Sequence, residues 1–269
     1  MVRILRQDMP GQTPYWQRFE VDWEADMNCI SVLEKIAAKA TTADGHAVAP
    51  VAWECNCLEE ICGACTMLVN GHVRQACTAL VDRLLADHAA EIELRPMTKF
   101  PVLRDLVVDR SRMFAALERI QAWIPVDSYL HMGPGPRQSQ QDQELAYQYS
   151  QCIVCGCCLE ACPQYLKIEL PCREGETPEQ YDARLRDANL RGYVGAFAIG
   201  QVELFNLNPI GKMLARERMD VLVGEGGIET CSFAQNCVRV CPKEIPLTTA
   251  IAREGRAATS HTVRRWLDW

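Results

Sequence analysis

The first hundred residues alternate between apolar and polar positions, the period of two that places every second side chain on one face of a β-strand. This alternation predicts strands over residues 2–7, 18–23, 66–69, 72–75 and 91–97. Asn70-Gly71 separates the third strand from the fourth and is a strong signal for a two-residue hairpin. Residues 30–40 have helical spacing, so this part is predicted to form a small grasp-like sheet with one helix packed across it.

The second half has helical spacing instead, interrupted by glycines and Cys-Pro pairs. Helices are predicted over residues 112–123, 144–150, 178–190, 196–206 and 211–223, and the polar stretch 133–143 is predicted to be a linker. The fold class is therefore predicted to be α+β. Residues 1–110 form a β-grasp domain, and residues 111–269 form a mainly α-helical domain.

Composition adds one unusual feature, the number of cysteines. The net charge of −7 argues against a nucleic-acid partner. No run approaches the ~18 apolar residues of a membrane span, so any membrane association is expected to go through a partner. No export signal is recognisable at the start of the sequence. The chain has 15 cysteines, and those that lie in clusters are therefore expected to bind metal rather than to form disulfides.

The first cysteine group has a tight loop of three cysteines and a fourth after the predicted hairpin: Cys57, Cys62, Cys65 and Cys77. This is the spacing of plant-type [2Fe–2S] proteins, and soft thiolates suit an iron–sulfide core. Gly63 allows backbone amides to turn toward the cluster. A four-cysteine zinc site is the alternative, although zinc sites usually have two Cys-x2-Cys pairs and this group has one.

Two further groups follow the bacterial ferredoxin run, in which the fourth cysteine, before a proline, serves the other cluster. The first run is complete, and in the second run Ala234 stands at the second ligand position. When the fourth cysteine of each run is assigned to the cluster of the other run, a [4Fe–4S] site is predicted from Cys152, Cys155, Cys158 and Cys241. The same assignment leaves the second site with three thiolates, enough for [3Fe–4S], from Cys162, Cys231 and Cys237.

Four cysteines remain outside these sets and are predicted to be small buried apolar residues: Cys29, Cys55, Cys157 and Cys172. Cys55 is a rival to Cys57, but the distance along the chain from Cys55 to Cys62 is too long for the plant-type spacing. A cubane with a non-cysteine fourth ligand at the third site is disfavoured because Ala234 has no donor atom.

A plant-type cluster domain followed by a two-cluster ferredoxin domain with one ligand deleted resembles the iron–sulfur subunits of succinate dehydrogenases and fumarate reductases. The resemblance covers nearly the whole chain, including the interdomain segment 99–109 and Cys237-x3-Cys241-Pro242-Lys243. Residues 56–65 and Ala122-Trp123-Ile124-Pro125 are similar to the menaquinone-linked branch, in which the membrane anchor is one dihaem cytochrome b.

The resemblance implies two partners, a flavoprotein whose FAD oxidises succinate and a membrane cytochrome b anchor that carries haem b. Electrons would pass singly from FAD through the [2Fe–2S], [4Fe–4S] and [3Fe–4S] clusters to a quinone, and the cofactors would carry the redox chemistry. This chain would have no catalytic residues and no dicarboxylate site of its own. It would lie at the cytoplasmic face of the cell membrane, attached through the anchor.

Pro163, Ser232 and Ala234 flank the cysteines of the third set and are expected to form the quinone- or haem-facing surface. Ser232 replaces a histidine of ubiquinone-linked relatives, which favours a low-potential quinone. The C-terminal residues Arg264, Arg265, Trp266 and Trp269 are expected either to meet lipid headgroups or the anchor, or to fray in solvent.

Two other functions are compatible with a cysteine-rich chain. One is an iron–sulfur adaptor of a different flavin- or quinone-linked oxidoreductase, which usually lacks the plant-type domain or has two complete ferredoxin runs. The other is a zinc scaffold without redox activity. The gap at Ala234 and the group from Cys57 to Cys77 speak against the adaptor.

Overall fold

The computed structural model describes residues 1–86, 91–125 and 136–267, and the chain divides into two compact units. The first unit contains Met1–Arg110 and Ile153–Glu160. The second contains Ser111–Cys152 and Ala161–Trp269. The segment Ile153–Glu160, which carries three cysteines and lies in the predicted helical half, therefore packs with the first unit.

The first unit is built on a five-stranded sheet of order β2-β1-β5-β3-β4. Its strands are β1 (Val2–Arg6), β2 (Tyr15–Phe19), β3 (Thr66–Val69), β4 (His72–Gln75) and β5 (Ile92–Arg95). Two antiparallel hairpins form as predicted, and β5 joins them by pairing parallel to β1 and antiparallel to β3. β2 begins earlier than predicted and ends at Phe19, because its register follows the five residues of β1.

Helix α1 (Cys29–Lys39) covers this sheet and places Ile30, Leu33 and Ile36 in the core. Its start is fixed by Asn28, whose side chain accepts hydrogen bonds from the backbone of the first turn. Shorter elements were not predicted, because they hold too few residues to show a period: α2 (Val81–Ala86), β6 (Val102–Arg104), β7 (Val107–Val108), α5 (Cys157–Glu160) and a 3-10 turn (Ala76–Thr78).

A buried ion pair fixes the end of β1 to the turn between β6 and β7. The Arg6 guanidinium donates to both carboxylate oxygens of Asp105 at 2.7 and 3.1 Å. Asp105 also accepts from the backbone amides of Ala52 and Gln7. Because both side chains are almost fully buried, removing either would leave an unpaired charge in the core.

The second unit is helical, as predicted. Its helices are α3 (Ser111–Arg119), α4 (Gln140–Ser150), α6 (Pro178–Arg191), α7 (Ala196–Leu207), α8 (Ala215–Leu222), α9 (Asn236–Arg239) and α10 (Leu247–Leu267), with 3-10 turns at Gly211–Leu214 and Ile228–Thr230. Helix α7 lies at the centre, packed against α4, α8 and α10. Gly200 permits this packing, because a Cβ there would lie 3.0 Å from Leu247 Cδ2.

Two predictions for this unit need correction, and one helix was not predicted. Helix α4 begins at Gln140, inside the predicted linker, because Ser139 caps it by accepting from the Asp142 amide; residues 133–135 of that linker lie outside the described residues. The predicted helix 211–223 is a 3-10 turn followed by α8. Helix α10 was not predicted, because its buried stripe of Leu247, Ala250, Ile251, Glu254 and Ala258 contains few large apolar side chains.

Within the described ranges, no helix has both the length and the apolar run needed to cross a bilayer. The longest, α10, is helical to Leu267, with Trp266 mostly exposed. The role of this end, at the membrane or anchor or in solvent, stays a prediction, and Trp269 lies outside the described residues.

Candidate metal centres

The loop that carries the first three cysteines surrounds one sulfur with backbone donors. The amides of Glu59, Ile61 and Cys62 donate to Cys57 Sγ over 3.4, 3.3 and 3.3 Å. Leu58 and Glu60 have positive φ angles of 59° and 57°, which turn these amides inward. The hydrogen bonds from Glu59, Ile61 and Cys62 lower the pKa of the Cys57 thiol to about 6.

Residues outside the loop constrain its shape. Gly63 has a φ of +72°, and a Cβ there would lie 2.9 Å from both Cys155 Cβ and the Ile153 carbonyl oxygen, so only glycine fits. Arg110 donates to the carbonyl oxygens of Gly63 and Ala64 at 2.8 and 2.7 Å. These partners come from distant sequence positions, and the spacing of the cysteines gave no sign of Arg110.

The four cysteines of the first set form two neighbouring pairs. The Cys62 side chain interacts with that of Cys57, and the Cys77 side chain with that of Cys65. The first pair is half-buried and the second is buried, where desolvation raises the pKa of the Cys65 thiol to about 12. A [2Fe–2S] core has two irons that each take two thiolates, so this arrangement fits that group.

The second predicted set is divided between the two units. Cys155 and Cys158 belong to the first unit and are buried, whereas Cys152 and Cys241 belong to the second and are half-buried. Within the first unit, the Cys157 thiol donates to Cys155, which lowers the pKa of Cys155 to about 7. That these four residues share one cluster stays a prediction.

A buried glutamine connects this segment with the first set, and sequence reasoning missed it. Gln75 is fully buried, and its Nε2 donates to Thr66 Oγ1 at 2.8 Å and to Cys157 Sγ at 3.5 Å. Its Oε1 accepts from Cys65 Sγ at 3.5 Å. Gln75 thus links a predicted ligand of the first cluster to the cysteine beside Cys158.

The third set comes together around Tyr193, another residue that the sequence did not single out. Burial, followed by the nearby sulfurs of Cys231 and Cys162, raises the pKa of the Tyr193 hydroxyl. Cys237 is buried next to the same two thiols, and burial raises the pKa of its own thiol. Asn236 ties this segment to the first ferredoxin run by donating to the Ala161 carbonyl oxygen at 3.0 Å.

The three residues predicted to face the quinone or haem lie next to the third cysteine set. Pro163, Ser232 and Ala234 line one cavity together with Cys162, Cys231, Cys237 and Tyr193. Ala234, which the ferredoxin spacing aligns with the second ligand position, brings a methyl group to this cavity, and Phe233 beside it is largely exposed. The cavity thus combines three thiols, a methyl group and an exposed aromatic ring.

The four remaining cysteines differ from one another. Cys29 and Cys157 are buried, as predicted for small apolar residues. The same prediction is wrong for Cys55 and Cys172, which are exposed because they lie in irregular segments outside the core. All 15 cysteines are described, and no disulfide joins any of them.

Among residues 1–86, 91–125 and 136–267, no three cysteine, histidine or acidic side chains converge on the position of a single metal ion. The inward-turned amides at Cys57 are a feature that iron–sulfur sites use, since hydrogen bonds to the sulfurs tune the cluster. Together with the plant-type and ferredoxin-type spacings of the cysteines, they define an iron–sulfur protein.

Similarity to known proteins agrees with this class. A family model described as a 2Fe-2S iron-sulfur cluster binding domain matches residues 1–115. The chain is 42% identical to the succinate dehydrogenase iron-sulfur subunit of Bacillus subtilis (strain 168), over 98% of this chain and 94% of the relative. It is 28% identical to the fumarate reductase iron-sulfur subunit of Haemophilus influenzae, over 93% and 89%.

A solved structure titled Mycobacterium smegmatis Sdh1 complex in the apo form contains a similar chain, with a TM-score of 0.66, 21% identity and coverage of 96% of this chain and 95% of that one. This likeness supports the fold. The sequence relatives establish the family: the chain belongs to the iron–sulfur subunits of succinate dehydrogenases and fumarate reductases. Its function is electron transfer within such an oxidoreductase.

Proposed function

We propose that this chain carries electrons singly between a flavoprotein subunit and a membrane cytochrome b anchor of a succinate:quinone oxidoreductase. The observation that carries the proposal is the third site, where Cys162, Cys231 and Cys237 gather around a cavity that Ala234 lines without a donor atom. A three-thiolate site in a chain that also carries a plant-type loop distinguishes this family from adaptors with two complete ferredoxin runs.

We assign the ligands in three sets. Cys57, Cys62, Cys65 and Cys77 would hold [2Fe–2S]; Cys152, Cys155, Cys158 and Cys241 would hold [4Fe–4S]; Cys162, Cys231 and Cys237 would hold [3Fe–4S]. When bound, such clusters accept and release one electron at a time. The domain boundary at residue 110 is part of this proposal.

The chain's own residues tune these sites in different ways. At the first site, the amides of Glu59, Ile61 and Cys62 favour the thiolate form of Cys57. At the third site, Tyr193 faces Cys231, and burial raises the pKa of the Cys237 thiol. Hydrogen bonding and solvent exposure are the protein's main means of setting cluster potential, so the two sites would have different potentials.

The proposed partners are an FAD-containing flavoprotein, which would act on the dicarboxylate, and a cytochrome b anchor with haem b, which would serve a quinone. Menaquinone is proposed from the resemblance of residues 56–65 and of Ala122-Trp123-Ile124-Pro125 to the menaquinone-linked branch. Pro163, Ser232 and Ala234 are the proposed quinone- or haem-facing residues, since they line the third site. The chain would lie at the cytoplasmic face of the membrane.

The test is to assay the purified chain alone and then with its natural flavoprotein, using succinate as donor and a soluble dye as acceptor. Alone, it is expected to leave the dye oxidised. With the flavoprotein, succinate is expected to bleach the cluster absorbance of this chain. Succinate oxidation by the chain alone, or cluster absorbance that succinate and the flavoprotein leave unchanged, would contradict the proposal.

A further inference from the structure

A second cavity lies in the helical unit, lined by α7, by the 3-10 turn and α8, and by α10. It has a volume of about 940 Å³, and none of its lining residues is one of the predicted cluster ligands. Its charge is unusual for a chain with a net charge of −7. Six cationic side chains line it: Lys212, Arg216, Arg253, Arg256, Arg264 and Arg265.

Only two of these cations have an acidic partner among the described residues. Arg253 pairs with Glu203 at the base of the cavity, and Arg265 lies 3.4 Å from Asp220, which also contacts His261. The other four cations, Lys212, Arg216, Arg256 and Arg264, form no ion pair with a described residue. Gathering like charges at one cavity is unfavourable, so an anion bound there would relieve their repulsion.

The acidic residues at the base do not neutralise this surplus. Glu203 and Glu254 are both buried, and Glu254 accepts from Asn206 Nδ2 at 3.2 Å. Burial, together with a hydrogen bond and repulsion from Glu203, raises the pKa of Glu254 to about 8. At neutral pH Glu254 therefore favours its neutral form, and Arg253 pairs with Glu203.

We propose that this cavity binds a phosphate-bearing anion. Planar guanidinium groups donate paired hydrogen bonds that match phosphate oxygens, and arginine is the main cation of the cavity. Its volume exceeds the need of a single inorganic ion and falls within the range of organic ligands. A phosphate ester therefore fits better than a bare anion.

The neighbouring surface favours a lipid as the source of the phosphate. Val263, Trp266 and Leu267 are exposed on the last turns of α10, next to Arg264 and Arg265. Exposed apolar side chains beside arginines are the surface by which a helix end lies at a membrane interface. The same helix thus presents both the cationic cavity and an apolar edge.

The test measures binding by the full chain with its clusters. Titration calorimetry with inorganic phosphate and with glycerol 3-phosphate reports soluble ligands. Co-sedimentation reports lipid, using vesicles of pure phosphatidylcholine and vesicles with phosphatidylglycerol as one lipid in three. The variants are Arg216→Gln and Arg256→Gln, and the control is Arg186→Gln, an exposed arginine on α6 with the same change in charge.

Each cavity variant is expected to weaken phosphate binding by about tenfold, the effect of one lost charge-assisted hydrogen bond, with cluster absorbance unchanged. Arg186→Gln is expected to change binding less than about twofold. Binding to phosphatidylglycerol vesicles without binding to either soluble phosphate, lost in the cavity variants, supports the proposal and identifies a lipid source. A wild-type chain that binds none of the probes, or equal losses in all three variants, overturns it.

Discussion

The first and third sites differ in how the chain assembles them. Three of the four cysteines of the first site share one loop, whose amides point at Cys57 and hold the pKa of its thiol at about 6. The third site joins separate segments around Tyr193, where burial raises the pKa of Cys237. A site made mostly by one loop is strengthened by local backbone geometry, whereas a site made by distant segments depends on the packing of the whole unit.

Loss of one loop cysteine should have the largest effect, because it should remove the signals of the first site. Cys57→Ser removes the sulfur that three amides address, so the [2Fe–2S] absorbance and EPR signal are expected to disappear or change strongly. Cys55→Ser is the control, because Cys55 is exposed, and it should leave both signals intact. The reverse outcome would show that the ligand register of the loop is wrong.

In the cluster-free chain, the pKa of the thiol should distinguish a cysteine that accepts amide hydrogen bonds from a cysteine that is buried. The pKa of Cys57 lies below the ordinary value of 9.0, so its thiolate stabilises the fold fully above pH 9, less as the pH falls, and not at all below about 6. Alkylation of Cys57 by iodoacetamide is expected to have its midpoint near pH 6. Cys65, with a pKa of about 12, should resist labelling. Equal alkylation midpoints for Cys57 and Cys65 would contradict the predicted difference between their pKa values.

Removing a distant support should weaken the first site. Arg110→Gln removes the guanidinium that donates to the Gly63 and Ala64 carbonyl oxygens, which is expected to destabilise the loop by about 1–3 kcal/mol. The measurement is the rate at which a chelator removes the [2Fe–2S] cluster. Arg83→Gln, an exposed arginine of α2, is the matched control. Similar rates for both variants would exclude a supporting role for Arg110.

The smallest expected effect concerns the third site. Tyr193→Phe removes a hydroxyl that faces Cys231, a change of about 1 kcal/mol in the balance between oxidised and reduced cluster. Potentiometric EPR should show a lower potential for the third cluster and an unchanged [2Fe–2S] potential. Tyr147→Phe, at an exposed position, controls for the substitution. A shift in both clusters would point to a general loss of packing.

The sequence predicted the parts of the molecule that local rules govern. The hairpin at Asn70-Gly71 and the helix predicted over residues 30–40 appear where expected, because turn residues and the apolar period of a helix act over a few positions. Arg110, Gln75 and Tyr193 could not be found in this way, because their roles depend on contacts between distant segments. Helix α10 was missed because small side chains cover most of its buried stripe.

Cysteine spacing predicted more of the site than any other signal, since a cluster imposes its geometry on the chain. The structure brings the side chains of Cys65 and Cys77 together, and gathers Cys162, Cys231 and Cys237 at one cavity. It also shows that Cys55 and Cys172 are exposed, which spacing alone could not reveal. The exposure of a residue depends on which other segments pack over it, and the spacing of the cysteines does not indicate those segments.

The central claim is that Ala234 leaves the third site with three ligands, and EPR of the oxidised protein tests it most directly. The claim predicts a sharp, nearly isotropic signal of an oxidised [3Fe–4S] cluster, lost on reduction by succinate through the flavoprotein. Ala234→Cys is expected to admit a fourth iron, abolish that signal and slow quinone reduction, while dye reduction at the flavoprotein survives. A wild-type protein that is EPR-silent when oxidised, with Mössbauer spectra of two cubanes, would contradict the claim.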